Sequence, residues 1–114
     1  MTVNQRIKQL RQTLNLSQAK FARTLPISSG YMAEIELESK KANDRVVKLI
    51  CSTFGASEVW LKTGEGEMFD KETDKKINKA VGLFKQLNPE FQDYVLKQID
   101  NLLELQDGSA GKET

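Results

Sequence analysis

The chain has 114 residues, room for one ordinary domain or a very small domain with an appendage, which excludes a large multidomain enzyme. Hydrophobic residues at 39% beside 29% charged residues fit a folded chain rather than a disordered one. No apolar run approaches the roughly 18 residues of a membrane span, and Met1-Thr2-Val3-Asn4-Gln5-Arg6 lacks the apolar stretch of a signal peptide, so a cytoplasmic protein without a membrane partner is expected. With no histidine, one cysteine and no paired-carboxylate motif, no catalytic residue, no metal site and no cofactor are expected.

The net charge of +1 conceals a split. Residues 1–69 hold 10 Lys and Arg against 7 Asp and Glu, and residues 70–114 hold 7 against 9, giving +3 and −2. Residues 1–33 carry Arg6, Lys8, Arg11, Lys20 and Arg23 and no acid, a balance suited to approaching a polyanion.

Val3, Ile7, Leu10 and Leu14 recur at helical spacing and predict a first helix ending near Asn15. Ser17 is placed to cap a short second helix carrying Phe21, Ala22 and Leu25, which Pro26 stops. Ser28 or Ser29 caps a third. Its buried side is Met32 and Ile35, and Ser29, Gly30, Ala33, Glu34 and Leu37 face outward. Two short helices joined by three or four residues suggest a helix-turn-helix.

Lys40-Lys41-Ala42-Asn43 reads as a polar connection, with Asp44 capping a fourth helix that runs through Phe54 to Gly55. In it Cys51 falls in the apolar pattern of Val46, Val47, Ile50 and Phe54 and is expected as a buried structural thiol. Ser57 caps a fifth helix with Val59, Trp60 and Leu61, closed by Thr63-Gly64-Glu65-Gly66. Trp60 has no flanking aromatics and is expected in the core rather than stacked on a base. The glycines lack the lysine of a phosphate loop and are read as a turn.

Beyond Phe69 the composition shifts to Asp70-Lys71-Glu72-Thr73-Asp74-Lys75-Lys76, a charged first turn or linker that marks a boundary near 70. Ile77, Val81, Phe84 and Leu87 mark a sixth helix. Asn88-Pro89-Glu90 restarts the chain into a seventh, a capping Asn followed by Pro at the first helical position. The tail 107–114 is expected to be disordered. The row Phe91, Val95, Ile99, Leu102 and Leu105 on a two-helix hairpin has little of its own to bury against, so 70–106 is expected to dimerise.

Leu16-Ser17-Gln18-Ala19-Lys20-Phe21-Ala22 with Ile27-Ser28-Ser29-Gly30-Tyr31-Met32-Ala33-Glu34-Ile35-Glu36 resembles the lambda-repressor-like helix-turn-helix family, also called XRE or Cro/CI. The block from Asp44 to Phe69 is similar to the end of this domain in phage or prophage repressors of Gram-positive bacteria. The resemblance covers about residues 4–69. It implies an all-α fold: a five-helix lambda-repressor-like DNA-binding domain over 1–69, followed by a C-terminal two-helix hairpin.

The function implied is a dimeric transcriptional regulator, a repressor binding double-stranded DNA at a palindromic operator. Position by position, the resemblance puts Ser29, Gly30, Ala33 and Glu34 at base edges in the major groove. It puts Gln18, Lys40, Lys41, Asn43 and Arg45 beside phosphates, where they position the domain without reading sequence. It also pairs Glu36 with Arg11. Four positions depart from the family's pattern. Pro26 replaces a turn Gly, and since proline is locked near φ −65° the turn is expected to differ. Leu37-Glu38 replaces Asn-Gly, removing a phosphate donor and adding a negative charge, and Ala42 stands where Pro is common. Glu34, Glu38 and the outward Leu37 carry the alternative, in which the helix-turn-helix is a protein-binding module meeting an antirepressor or another regulator.

Overall fold

The computed structural model describes residues 1–106 and contains seven α-helices: α1 Val3–Thr13, α2 Gln18–Thr24, α3 Ser29–Glu36, α4 Asp44–Phe54, α5 Glu58–Thr63, α6 Lys71–Gln86 and α7 Pro89–Gln106. The fold is all-α, as the periodicity implies, and the tail 107–114 lies outside the described residues. The chain forms two compact units that divide between Asp74 and Lys75, so the first turn of α6 belongs to the first unit.

In the first unit, helix starts follow local chemistry. Ser17, Ser28 and Ser57 each accept a backbone N–H from the residue three positions on. Asn43, rather than Asp44, caps α4, its Oδ1 accepting from the Val46 amide at 2.9 Å. Asp44 instead occupies the first helical position, where the helix dipole favours an acid. Asp70 caps α6 in the same way, which makes the charged run 70–76 a helix start rather than a linker.

Helix ends share one geometry. After α1, α2 and α3, an N–H five positions on reaches back to close the last turn: Leu16 to the Arg11 carbonyl, Ile27 to the Ala22 carbonyl and Ser39 to the Glu34 carbonyl. This closure needs one residue in the left-handed region. Those residues are Asn15 (φ 58°), Pro26 (φ 24°) and Glu38 (φ 60°), the positive-φ non-glycines among the described residues. The turn after α2 therefore closes by the same bond as the turns after α1 and α3 despite its proline, and the ring is held far from its usual φ.

The core is built from the inward stripes of α1 to α5: Ile7, Leu10, Phe21, Leu25, Met32, Ile35, Ile50 and Leu61 are fully buried. Phe21 and Phe54 stack with ring centroids 4.9 Å apart, and Trp60 is buried as expected. Cys51 is only half-buried against this cluster, so the expectation of full burial is corrected. Desolvation, with Glu58 adding to it, pushes its thiol above the ordinary value and keeps it protonated at neutral pH.

The segment after α5 folds back through a single antiparallel bridge, Ala56 to Phe69, with Ser57 N–H donating to the Met68 carbonyl and Asp70 N–H to the Gly55 carbonyl. Gly55 (φ 71°) is required here: a Cβ would run into the Thr73 hydroxyl.

In the second unit, α6 and α7 are joined at Asn88, and their described contacts lie beside that junction, so the expected packing of a two-helix hairpin along its length is not seen. The Asn88 Oδ1 accepts from the Phe91 amide at 3.0 Å, and Gln92 Nε2 donates to the Phe84 carbonyl at 3.0 Å. Phe84, Leu87 and Val95 are half-buried, and no described residue of α6 or α7 is fully buried.

Candidate nucleic-acid interface

The side of α3 opposite its core residues presents Ser29 and Gly30 exposed and Ala33 and Glu34 half-buried, with Leu37 following at 79% exposure. Nothing lies within 4 Å of a Cβ built on Gly30. Small side chains on an outward helix face let the backbone come close to whatever docks there. Glu34 is not an isolated charge, since Lys40 Nζ lies 3.6 Å from its carboxylate, with both side chains open to solvent.

The back of this helix pair is locked by one ionic cluster. Glu36 accepts from Arg11 Nε at 2.6 Å and Nη2 at 3.0 Å, and from Gln18 Nε2 at 2.9 Å. Arg11 Nη1 also donates to the Leu16 carbonyl at 2.7 Å, tying the α1–α2 connection into the same cluster. The expected Arg11–Glu36 pair is thus present, 13% and 3% exposed. Burial opposes ionisation of Glu36, but the hydrogen bonds from Arg11 and Gln18, with the charges of Arg11 and Lys8, outweigh it and hold the carboxyl below its ordinary value. Gln18 stands at the first position of α2, where the resemblance places it beside a phosphate, yet its amide is engaged with Glu36.

Lys40, Lys41, Asn43 and Arg45 are all exposed along the α3–α4 connection and the first turn of α4. Asn43 has its oxygen committed to the cap, so it is the amide nitrogen that is left to donate outward. Farther along, Lys62 bridges Asp44 and Glu58, and Lys48 also meets Asp44, an exposed network that keeps these cations neutralised. The hydrogen bonds from Asp44 and Glu58 push the Lys62 ammonium well above the ordinary lysine value.

The basic first third contributes less to this surface than its composition implies. Arg6 is buried, donating through Nε to the Leu61 carbonyl at 2.7 Å and through Nη2 to Lys62 at 2.9 Å. It serves the free carbonyls at the end of α5 and packs against Gly64 rather than facing a polyanion.

Three interactions escaped the reading of the sequence. Thr2 and Gln5 form a capping box at the start of α1, a pattern visible in the spacing alone. Glu38 accepts from Thr2 Oγ1 at 2.7 Å and Gln5 Nε2 at 3.2 Å, so the acid expected to repel phosphate is drawn to a helix N-terminus. Buried Asn4 bonds to the backbone of residues 35, 40 and 42, partners too distant in sequence to leave a local signal. The Ala42 amide donates to Asn4 Oδ1 at 3.1 Å, a bond that a proline at 42 lacks the N–H to make.

A capped two-helix unit, its second helix buried on one side and polar on the other beside exposed cations, defines a helix-turn-helix protein of the DNA-binding type. The family profile described as a helix-turn-helix domain matches residues 4–67, and the chain belongs to that family, an XRE-like family of DNA-binding regulators rather than of enzymes. No curated protein and no solved structure matches the chain. Among the described residues no helix is long and apolar enough to cross a membrane, and no cluster of metal-ligating side chains occurs.

Proposed function

We propose that the protein is a dimeric transcriptional repressor of the phage or prophage type that binds a palindromic operator. The observation that carries this reading is the outward side of α3, small and polar at Ser29, Gly30, Ala33 and Glu34 over a fully buried Met32 and Ile35. A helix of this kind fits the major groove, where each base pair shows its own donor and acceptor pattern. Lys40, Lys41, Asn43 and Arg45, with Gln18 at the start of α2, meet phosphates and set the register. A domain this small spans few base pairs. Pairing through Phe91, Val95, Ile99, Leu102 and Leu105 supplies a second half-site and raises the effective concentration.

Binding of the full chain to genomic fragments and to random duplex across a salt series tests this reading. Lys40→Ala, Lys41→Ala or Arg45→Ala is expected to weaken specific and random binding about equally, each lowering the salt slope by about one unit. The second reading, a protein-docking surface for an antirepressor or other regulator, is favoured by Leu37, 79% exposed at the end of α3. Unchanged DNA binding in the cation variants, with Leu37→Ala abolishing association with a protein partner, establishes that second reading.

A further inference from the structure

Lys40 and Lys41 lie on a seven-residue connection, 37–43, with no helix or strand of its own. Beyond the bonds that close α3, this connection is held by the first turn of α1. Asn4, 5% exposed, donates through Nδ2 to the Ile35 carbonyl at 3.0 Å and the Lys40 carbonyl at 2.7 Å, while its Oδ1 accepts from the Ala42 amide at 3.1 Å. One side chain therefore grips the backbone on both sides of Lys41. On the outer side, Glu38 is held by Thr2 and Gln5.

An amide is costly to bury, and here each of its polar atoms is spent on this connection. A flexible connection would have to be ordered on binding, which weakens association by the entropy of every residue fixed at that moment. We infer that Asn4 is a positioning residue for DNA binding: by clamping the backbone around Lys41 it presents Lys40 and Lys41 to successive phosphates already ordered. Thr2 and Gln5, through Glu38, form the outer half of the same clamp. The inference rests on the phosphate-contact reading of Lys40 and Lys41.

The test is a double-mutant cycle on the full chain, read as the salt dependence of affinity for a fluorescent random-sequence duplex. Lys40→Ala and Lys41→Ala are each expected to lower the slope by about one unit. Asn4→Leu, close in volume and unchanged in charge, is expected to lower it by about two units and to make a further Lys41→Ala substitution nearly silent. A folded Asn4→Leu protein with the original slope and the full Lys41 effect overturns the inference and leaves Asn4 a packing residue. Should Asn4→Leu fail to fold, Gln5→Ala on the exposed face of the clamp takes its place, with a smaller loss of slope expected and an unchanged slope overturning the proposal. If Lys40→Ala and Lys41→Ala leave the slope of the natural chain untouched, the phosphate reading itself fails and the clamp's role in binding falls with it.

Discussion

The residue with most at stake is Arg11, whose bidentate contact with a nearly inaccessible Glu36 joins α1, the start of α2 and the end of α3. Removing one member of such a pair strands the other, so Arg11→Ala is expected to cost about 3 kcal/mol in denaturant unfolding, with base preference unchanged among the molecules that remain folded. Normal melting with lost DNA binding would instead place Arg11 on phosphate. The pair also sets an acid limit. Glu36 ionises more readily folded than unfolded, so its contribution is fully present above the ordinary glutamate value and is lost as pH falls through the lower folded value. Acid titration of stability should therefore be shallower for Glu36→Gln than for the natural chain over that window. Pro26 offers a test of opposite sign. At φ 24° its ring opposes the helix-closing turn that a glycine adopts freely, and Pro26→Gly is expected to raise stability by about 1 kcal/mol. Thermal melting that shows no gain would mean that the proline fits this turn without strain.

At the scale of elements, α3 has separate duties on its two sides. Met32 and Ile35 hold it to the core, whereas Glu34 and its neighbours tune what it meets. Glu34→Gln is expected to leave melting within about 0.5 kcal/mol, because the Glu34–Lys40 pair is exposed and weak. It removes a negative charge near phosphate and releases Lys40, so affinity for random duplex should rise. Selection at one base pair should shift too, since a glutamate in the groove only accepts and favours a base with an amino donor, the cytosine N4 above all. Equal random binding and an unaltered site preference would remove Glu34 from the interface. The element starts and stops were legible because serine caps, Pro89 and the glycines at 55 and 64 act on their own neighbours. The one-residue error at α4 arose where Asn43 and Asp44 are both good caps, and the choice fell to which of them also had a long-range partner: Asp44 meets Lys62.

For the whole molecule the open quantity is assembly. Leu102 and Leu105 are each 62% exposed on α7, and Phe91 and Ile99 are also exposed, an apolar row of the kind that marks an interaction surface. The full chain is expected to sediment as a dimer at micromolar concentration. Ile99→Asp or Leu102→Asp should give a monomer whose helix-turn-helix still melts as a unit but whose operator affinity falls steeply, because two half-sites no longer act together. A natural chain that is monomeric at that concentration removes α7 from the binding mechanism.

By itself the sequence determined the seven helices, the inward stripes of α1 to α5 and the spacing that marks a helix-turn-helix, since capping and periodicity act within a few residues of chain. Arg11 with Glu36 was legible as well, through the resemblance rather than through spacing. What only the tertiary structure decided are the roles of polar residues whose partners lie some thirty or more positions away. Arg6 turns inward to the end of α5, Glu38 turns to the start of α1, and Asn4 takes the backbone around Lys41. A buried arginine and an exposed one look alike in composition, and a local pattern carries no record of which distant carbonyl or amide the fold brings within hydrogen-bond reach.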